Sequence, residues 1–306
     1  MPSRALRAFR LGATVARAVP RPVADVAGRV GAALTVPFAG ARRGQVERNL
    51  RRVHGEDFGG FAMRRAVNAT FESYARYYID SFRLPGTSPA AIEAGIIVDG
   101  WDKVDRALDD NPEGTGIILA LPHLGGWEWA GFWVTACRGR KLTVVVESLE
   151  PPDLYEWFVE LREAFGMHVV PLGPGVASAV LAALRAGHIV CLLCDRDLDG
   201  SGVEVEFFGE RTTLPGGPAT LALRTGAAVF PAAVYFEGSG HHAVVRDALD
   251  LTRTGRLRDD VARITQDLAH ELEELIRAAP EQWHLLQPNW PSDLSSSEAG
   301  RPEPGI

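Results

Sequence analysis

The chain has 306 residues, 46% of them hydrophobic, enough for one large α/β domain or two small ones. Its three cysteines, an odd number in a long chain, argue against a disulfide scaffold and for a reducing compartment. The formal charge of −7 is unevenly spread: Met1–Val53 holds eleven arginines and no lysine against Asp25 and Glu47, a balance of +9, which leaves −16 for the rest.

A basic leader on an acidic body points to an anionic partner, with a lipid headgroup surface as the better fit. Nucleic acid fits less well, because the leader is apolar between its arginines and lacks Lys-rich clusters or a binding motif. Only Lys103 and Lys141 are lysines, which reads as the composition of a GC-rich genome. An Arg-rich, acid-poor leader also fits a mitochondrial transit peptide, although the overall composition is bacterial in character. No secretory signal pattern is present, and no run makes a membrane-spanning helix. The longest uncharged run, Gly166–Leu184, is interrupted by Pro171, Gly173, Pro174 and Gly175.

Leu6, Phe9, Ala13 and Ala16 recur at helical spacing within Ala5–Val19, with Arg7, Arg10 and Arg17 elsewhere on the wheel. Two readings stand: an amphipathic helix lying on a membrane, or a helix packed on its own domain with its arginines in water. Pro20 and Pro22 then break the chain. Helices follow over about Gln45–Val53 and Phe61–Phe82, the second with an aromatic stripe of Phe71, Tyr74, Tyr78 and Phe82 that reads as core. From Ile96 the texture alternates between strand and helix. Strands are expected at IIVDG, GIILALP, LTVVVES, MHVVPL, HIVCLLCD and AAVFPAAVYFE, with VEVEFFG as an edge or hairpin strand and Arg256–Ala279 as a closing amphipathic helix. The expected fold is α/β, a single domain with a mostly parallel mixed sheet flanked by helices. Its boundaries are a basic, membrane-interfacial helical region over 1–90 packed on the main domain, the α/β core over 91–291, and a disordered Ser- and Pro-rich tail over 292–306.

The segment GIILALPHLGGWEWAG runs a buried strand into Pro122, His123, Gly125 and Gly126. Ligands in open α/β sheets gather at the carboxyl ends of strands, where His123 is placed. The two glycines would let backbone N–H groups approach a ligand at a helix start. His123 and Glu128 do not share a helix face, so they meet only if His123 lies in the loop and Glu128 in the first helical turn. The carboxylate would then hold one imidazole nitrogen while the other takes a proton from a hydroxyl. Against this stands a loop histidine capping a helix, with Glu128 solvated. A second strand exit, CDRDLDG, brings Asp195, Arg196 and Asp197 to the same edge if the strands are parallel, where they could order a polar headgroup or hold the histidine loop, leaving open whether Asp195 or Asp197 rather than Glu128 pairs with His123; the alternative is a solvated turn with an internal ion pair. His188, Cys191 and Cys194 spell H-x2-C-x2-C, but strand residues three apart point to opposite faces, so no metal is expected. LGPGVASAV lacks the lysine of a phosphate loop, and neither G-x-S-x-G nor H-E-x-x-H occurs.

Several segments, in order, resemble the bacterial lysophospholipid-acyltransferase-like family, which includes lipid A late acyltransferases and actinobacterial phosphatidylinositol mannoside acyltransferases. They are PHLGGWEWAG, VVVESLEPPDLYEWFVELREAFGMHVVPL, VCLLCDRDLDGSGVEVEFFGERTTLPGGPATLALRTGAAVFP and EQWHLLQPNW, joined by RLGATVARAVPRPVADVAGRVG, RNLRRVHG and SYARYYIDSFRLP nearer the start. The resemblance, closest to the mannoside group, implies transfer of a fatty acyl chain from a thioester donor to a hydroxyl of a membrane lipid. Its H-x4-D/E signature falls on His123 as general base and Glu128 as the residue orienting it. Glu147 and Arg162 stand in its E…R pattern, facing the polar acceptor. Asp195, Arg196 and Asp197 match its D-R-D element, and Pro215, Gly216 and Gly217 match a turn shaping the substrate mouth. It also implies acyl-CoA as donor substrate, no cofactor and no metal, a glycolipid acceptor, and a cytoplasmic enzyme peripheral on the inner membrane. A lipid A-type acceptor, a non-catalytic lipid-binding protein and a thioesterase-like hydrolase remain open alternatives.

Overall fold

Every side chain of Ile117–Leu121 is apolar, so this strand can be buried on both faces only in the middle of a sheet covered on both sides. The structure, a computed structural model, describes residues 2–111, 114–147, 150–198 and 200–294, and shows that arrangement. Four N-terminal helices come first: α1 (Arg4–Ala18), α2 (Arg21–Thr35), α3 (Gly40–His54) and α4 (Gly60–Arg83). The alternating body follows as α5 (Pro89–Ala94), β1 (Ile96–Asp99), α6 (Trp101–Asp109), β2 (Ile117–Leu121), α7 (Trp127–Ala136) and β3 (Leu142–Val146). It continues through α8 (Pro152–Glu163), β4 (Met167–Pro171), α9 (Val176–Arg185), β5 (Ile189–Leu193) and the hairpin β6 (Val203–Phe207) and β7 (Glu210–Leu214). It closes with α10 (Gly217–Thr225), β8 (Val229–Glu237), β9 (Gly240–Val245) and α11 (Leu257–Arg277).

Among the described residues, a seven-stranded sheet has the order β1-β9-β8-β2-β5-β3-β4, and β6 and β7 pair separately. All its pairings are parallel except β8 with β9. Alternation along β2 feeds two cores. Ile118 and Ala120 face a layer built with α9, α10, α11 and the hairpin, whereas Ile117, Leu119 and Leu121 face Trp127, Trp129, Phe132 and Trp133 of α7.

The N-terminal region decides between the two readings of its first helix. Pro20 and Pro22 break the chain between α1, which ends at Ala18, and α2, where proline at the helix start gives up an N–H that has no intrahelical acceptor anyway. The stripe Leu6, Ala13 and Ala16 is buried, and Phe9 lies edge-on to Tyr78, Phe82, Trp157 and Phe158. That face of α1 therefore packs on its own domain, not on a membrane. A different apolar set stays exposed: Leu11, Val15, Val23, Val26, Val30, Leu34 and Phe38. No described helix is long and apolar enough to cross a membrane. At the other end, Asp293, assigned from sequence to the tail, is buried in a short turn; residues 295–306 lie outside the described residues.

Candidate active site

The site follows from strand register. Leu121 of β2 is paired with Leu193 of its parallel neighbour β5, and His123 and Asp195 each lie two residues further on. Neighbouring strands run about 4.8 Å apart, so two side chains leaving matched positions at the carboxyl edge can touch. His123 Nδ1 lies 2.6 Å from Asp195 Oδ1. Asp195 is fully buried, whereas the His123 side chain keeps 32% of its surface, so the ring has a held side and an open side.

Three further groups fix Asp195. The Trp283 indole donates to Oδ2 at 2.7 Å, and the Asn289 amide donates to the backbone carbonyl at 3.1 Å. Cys194 N–H donates to the Leu121 carbonyl, tying the two strand exits together. Burial alone would raise the Asp195 carboxyl, but His123 and the bonds from His123 and Trp283 outweigh it and hold the pKa below the usual carboxylate range. The backbone of His123 is held in turn, its carbonyl accepting from the His284 N–H at 2.7 Å. Burial, reinforced by His123, pushes the His284 imidazole down to about 3, so that ring is neutral; its Nε2 meets Ser73 Oγ at 2.8 Å.

Glu128 is elsewhere engaged, which corrects its expected role. Gly126 opens α7, and the second helical residue turns its carboxylate away from His123 toward α4 and α8. There Glu128 Oε1 pairs with Arg162 at 2.5 Å and accepts from the Tyr77 hydroxyl at 3.1 Å, all three within the packed interior. Burial works against the Arg162 charge, and the Glu128 carboxylate more than offsets it, keeping the guanidinium protonated. Burial raises the Tyr77 hydroxyl well above its ordinary value, so it remains a donor.

The glycines also serve the fold. Gly125 N–H donates to the Gln282 carbonyl and Gly126 N–H to the Val234 carbonyl, each at 3.0 Å. Gly125 has φ of +58°, and a Cβ there would collide with the Val234 carbonyl oxygen; at Gly126 it would strike the His241 ring. The expectation that these two N–H groups face a ligand is replaced by close backbone packing. The opening N–H groups of α7, at Trp127 and Glu128, are the ones without an intrahelical acceptor.

Arg196 and Glu147 form a 2.7 Å ion pair across the exits of β5 and β3, beside the His123 pair, with Glu147 half in solvent. Asp197 accepts from Gly202 N–H at 2.8 Å and closes its own loop. Pro215, Gly216 and Gly217 lead from β7 into α10; Gly216 packs against Val203 and Val261, and no described hydrogen bond joins this turn to His123. Cys191 and Cys194 are buried free thiols, and no metal-binding group of side chains occurs among the described residues. Sequence reasoning missed Trp283, His284, Asn289 and Tyr77. The available signal was polar residues set among tryptophans in EQWHLLQPNW, directly after the closing helix.

The family of bacterial lipid A biosynthesis acyltransferases matches residues 3–292. A phosphatidylinositol mannoside acyltransferase of Mycolicibacterium smegmatis (strain ATCC 700084 / mc(2)155) is 40% identical over 296 residues, covering 96% of this chain and 93% of its own. A protein of the same name from Mycobacterium tuberculosis (strain ATCC 25618 / H37Rv) is 39% identical over 295 residues, covering 95% and 90%. The chain belongs to the bacterial lipid A biosynthesis acyltransferase family.

Proposed function

We propose that this acyltransferase moves a fatty acyl group from acyl-CoA to a mannose hydroxyl of a phosphatidylinositol mannoside, with His123 as general base and Asp195 as the carboxylate that orients it. The observation that carries the reading is the 2.6 Å contact of His123 Nδ1 with a buried Asp195, which leaves Nε2 on the exposed side of the ring. The relatives' names supply the acceptor class.

In this mechanism Nε2 removes the hydroxyl proton as the oxygen attacks the thioester carbonyl. The new C–O bond forms while the carbonyl electrons move to oxygen, and to the opening N–H groups of α7, the helix after the His123 loop, we assign the stabilisation of that charge. Collapse breaks the C–S bond, and the imidazolium returns its proton to the departing thiolate. Asp195 keeps Nδ1–H in place throughout and stabilises the cationic ring. To Arg196 and Glu147, paired with each other at the neighbouring strand exits, we assign binding of the acceptor's polar hydroxyls.

The same reading places the enzyme on the cytoplasmic face of the cell membrane. The exposed Leu11, Val15, Val23, Val26, Val30, Leu34 and Phe38 share the N-terminal helices with Arg4, Arg7, Arg10, Arg29 and Arg42, which make no ion pair among the described residues. Apolar side chains beside unpaired arginines suit an anionic lipid surface.

The test is transfer of radiolabelled palmitate from palmitoyl-CoA to phosphatidylinositol mannoside, beside His123→Ala. Label entering the lipid, reduced by about 10³-fold or more in the variant, is the expected result. Free fatty acid released equally with and without acceptor would instead indicate a hydrolase. His123-dependent label on a lipid A-type glycolipid alone would change the acceptor.

A further inference from the structure

We infer that Trp283 is a positioning residue for the transfer reaction, the third member of a His123–Asp195–Trp283 relay; the inference rests on the functional reading above. A carboxylate held through one oxygen can rotate about its Cβ–Cγ bond. Asp195 is held through both, because His123 Nδ1 engages Oδ1 at 2.6 Å and the indole N–H engages Oδ2 at 2.7 Å. With Oδ2 fixed, Oδ1 stays in the plane from which it can hold Nδ1–H and set the ring's tautomer.

The indole itself is fixed by the chain that carries it. Leu124, next to His123, forms an antiparallel bridge with Trp283, and the Gln282 carbonyl accepts from Gly125. Further along, Asn289 bonds the Asp195 carbonyl, and the buried Asp293 carboxylate accepts from the Asn289 and Trp290 N–H groups. Gln45, Arg48 and Arg52 of α3 then anchor Asp293. The segment 282–293 is thus a strap, pinned at both ends, whose one side chain reaching the Asp195 carboxylate is Trp283.

The groups facing Asp195 are His123 from the loop after β2, Cys194 beside it, His284 from the strap, and the uncharged donors Trp283 and Asn289. His284 stays neutral, so the His123 ring is the group that faces the Asp195 charge directly. The indole donor stabilises the ionised carboxylate. Without it, the Asp195 charge is concentrated on the oxygen that meets His123.

Trp283→Phe keeps the ring and removes the N–H. The expected result is kcat down about tenfold with KM within about twofold, and the acid limb of the rate moved to higher pH by about half a unit. Trp290→Phe is the control: its indole bonds the Phe207 carbonyl, so it should loosen the fold without moving the limb. An unmoved limb in a folded Trp283→Phe enzyme would overturn the inference and leave the functional reading intact. In the unmodified chain, the Trp283 indole N–H resonance should shift through the pH transition of the His123–Asp195 pair. This readout needs neither turnover nor a stable variant, and a resonance flat across that transition would equally overturn the inference.

Discussion

Two buried carboxylates flank the loop after β2, and they do opposite work. Asp195 sits beneath the sheet's carboxyl edge against a histidine that is one-third exposed, so its charge is coupled to a group that can meet substrate. Glu128 is sealed among α4, α7 and α8 against Arg162 and Tyr77, where its charge is coupled only to groups that never leave the interior. The comparison teaches that a motif spacing does not assign roles. His123 and Glu128 are near neighbours in sequence, but the first lies in the loop after a strand and the second in the first turn of a helix whose direction carries it toward Arg162.

The largest effect expected from this contrast is at Asp195. Asp195→Asn preserves shape and the acceptor for Trp283 but cannot stabilise the imidazolium, so kcat should fall about 10²- to 10⁴-fold. Steady-state kinetics with the thermal midpoint measured alongside would check it. A thermal collapse in place of a kinetic loss would move Asp195 to the structural side.

At Glu128 the expected loss is of stability. Glu128→Ala leaves the Arg162 charge buried without its carboxylate, which costs about 3–5 kcal/mol. Urea unfolding measures that loss directly. Joint replacement by Glu128→Gln and Arg162→Met should recover most of it, because a buried pair is replaceable as a unit even though neither half tolerates solitude.

A smaller effect concerns acid. His284, joining the strap to Ser73 of α4, has a folded pKa of about 3, below the ordinary histidine value of about 6.5. Between those values the unfolded chain takes up a proton that the folded chain refuses. Its contribution to stability is therefore complete above about pH 6.5 and is lost progressively as pH falls toward 3, at up to about 1.4 kcal/mol per pH unit. Asp195, whose pKa is also depressed, adds a loss only below about pH 4. Unfolding free energies of His284→Gln at pH 6.5 and 4.5 should show a flatter slope than those of the unmodified chain.

Much of this fold was legible in the sequence, and the reasons are local. The all-apolar run of β2, the Pro122 stop and the glycine pair set His123 at a strand exit without help from the rest of the chain. Asp195 was equally visible as a carboxylate at a second strand exit. Whether Asp195, Asp197 or Glu128 partners His123 stayed open at the level of sequence, because nothing along the chain says that β5 lies beside β2, with β3 on its far side. The same holds for Trp283, 88 residues beyond Asp195, whose role exists only once the strap closes over the sheet edge. The face of α1 was left undecided for a different reason. Proline patterns and apolar stripes report that a helix starts and has an inner side, not whether that side meets protein or lipid.

The division of labour between the two carboxylates is tested most directly by measuring kcat and the thermal midpoint for Asp195→Asn and Glu128→Gln side by side. The account expects Asp195→Asn to lose turnover by about 10²-fold or more with a midpoint near that of the unmodified chain, and Glu128→Gln to melt earlier yet turn over at a similar rate while folded. A fully folded Glu128→Gln enzyme without activity, beside an active Asp195→Asn, would contradict it and return the orienting role to Glu128.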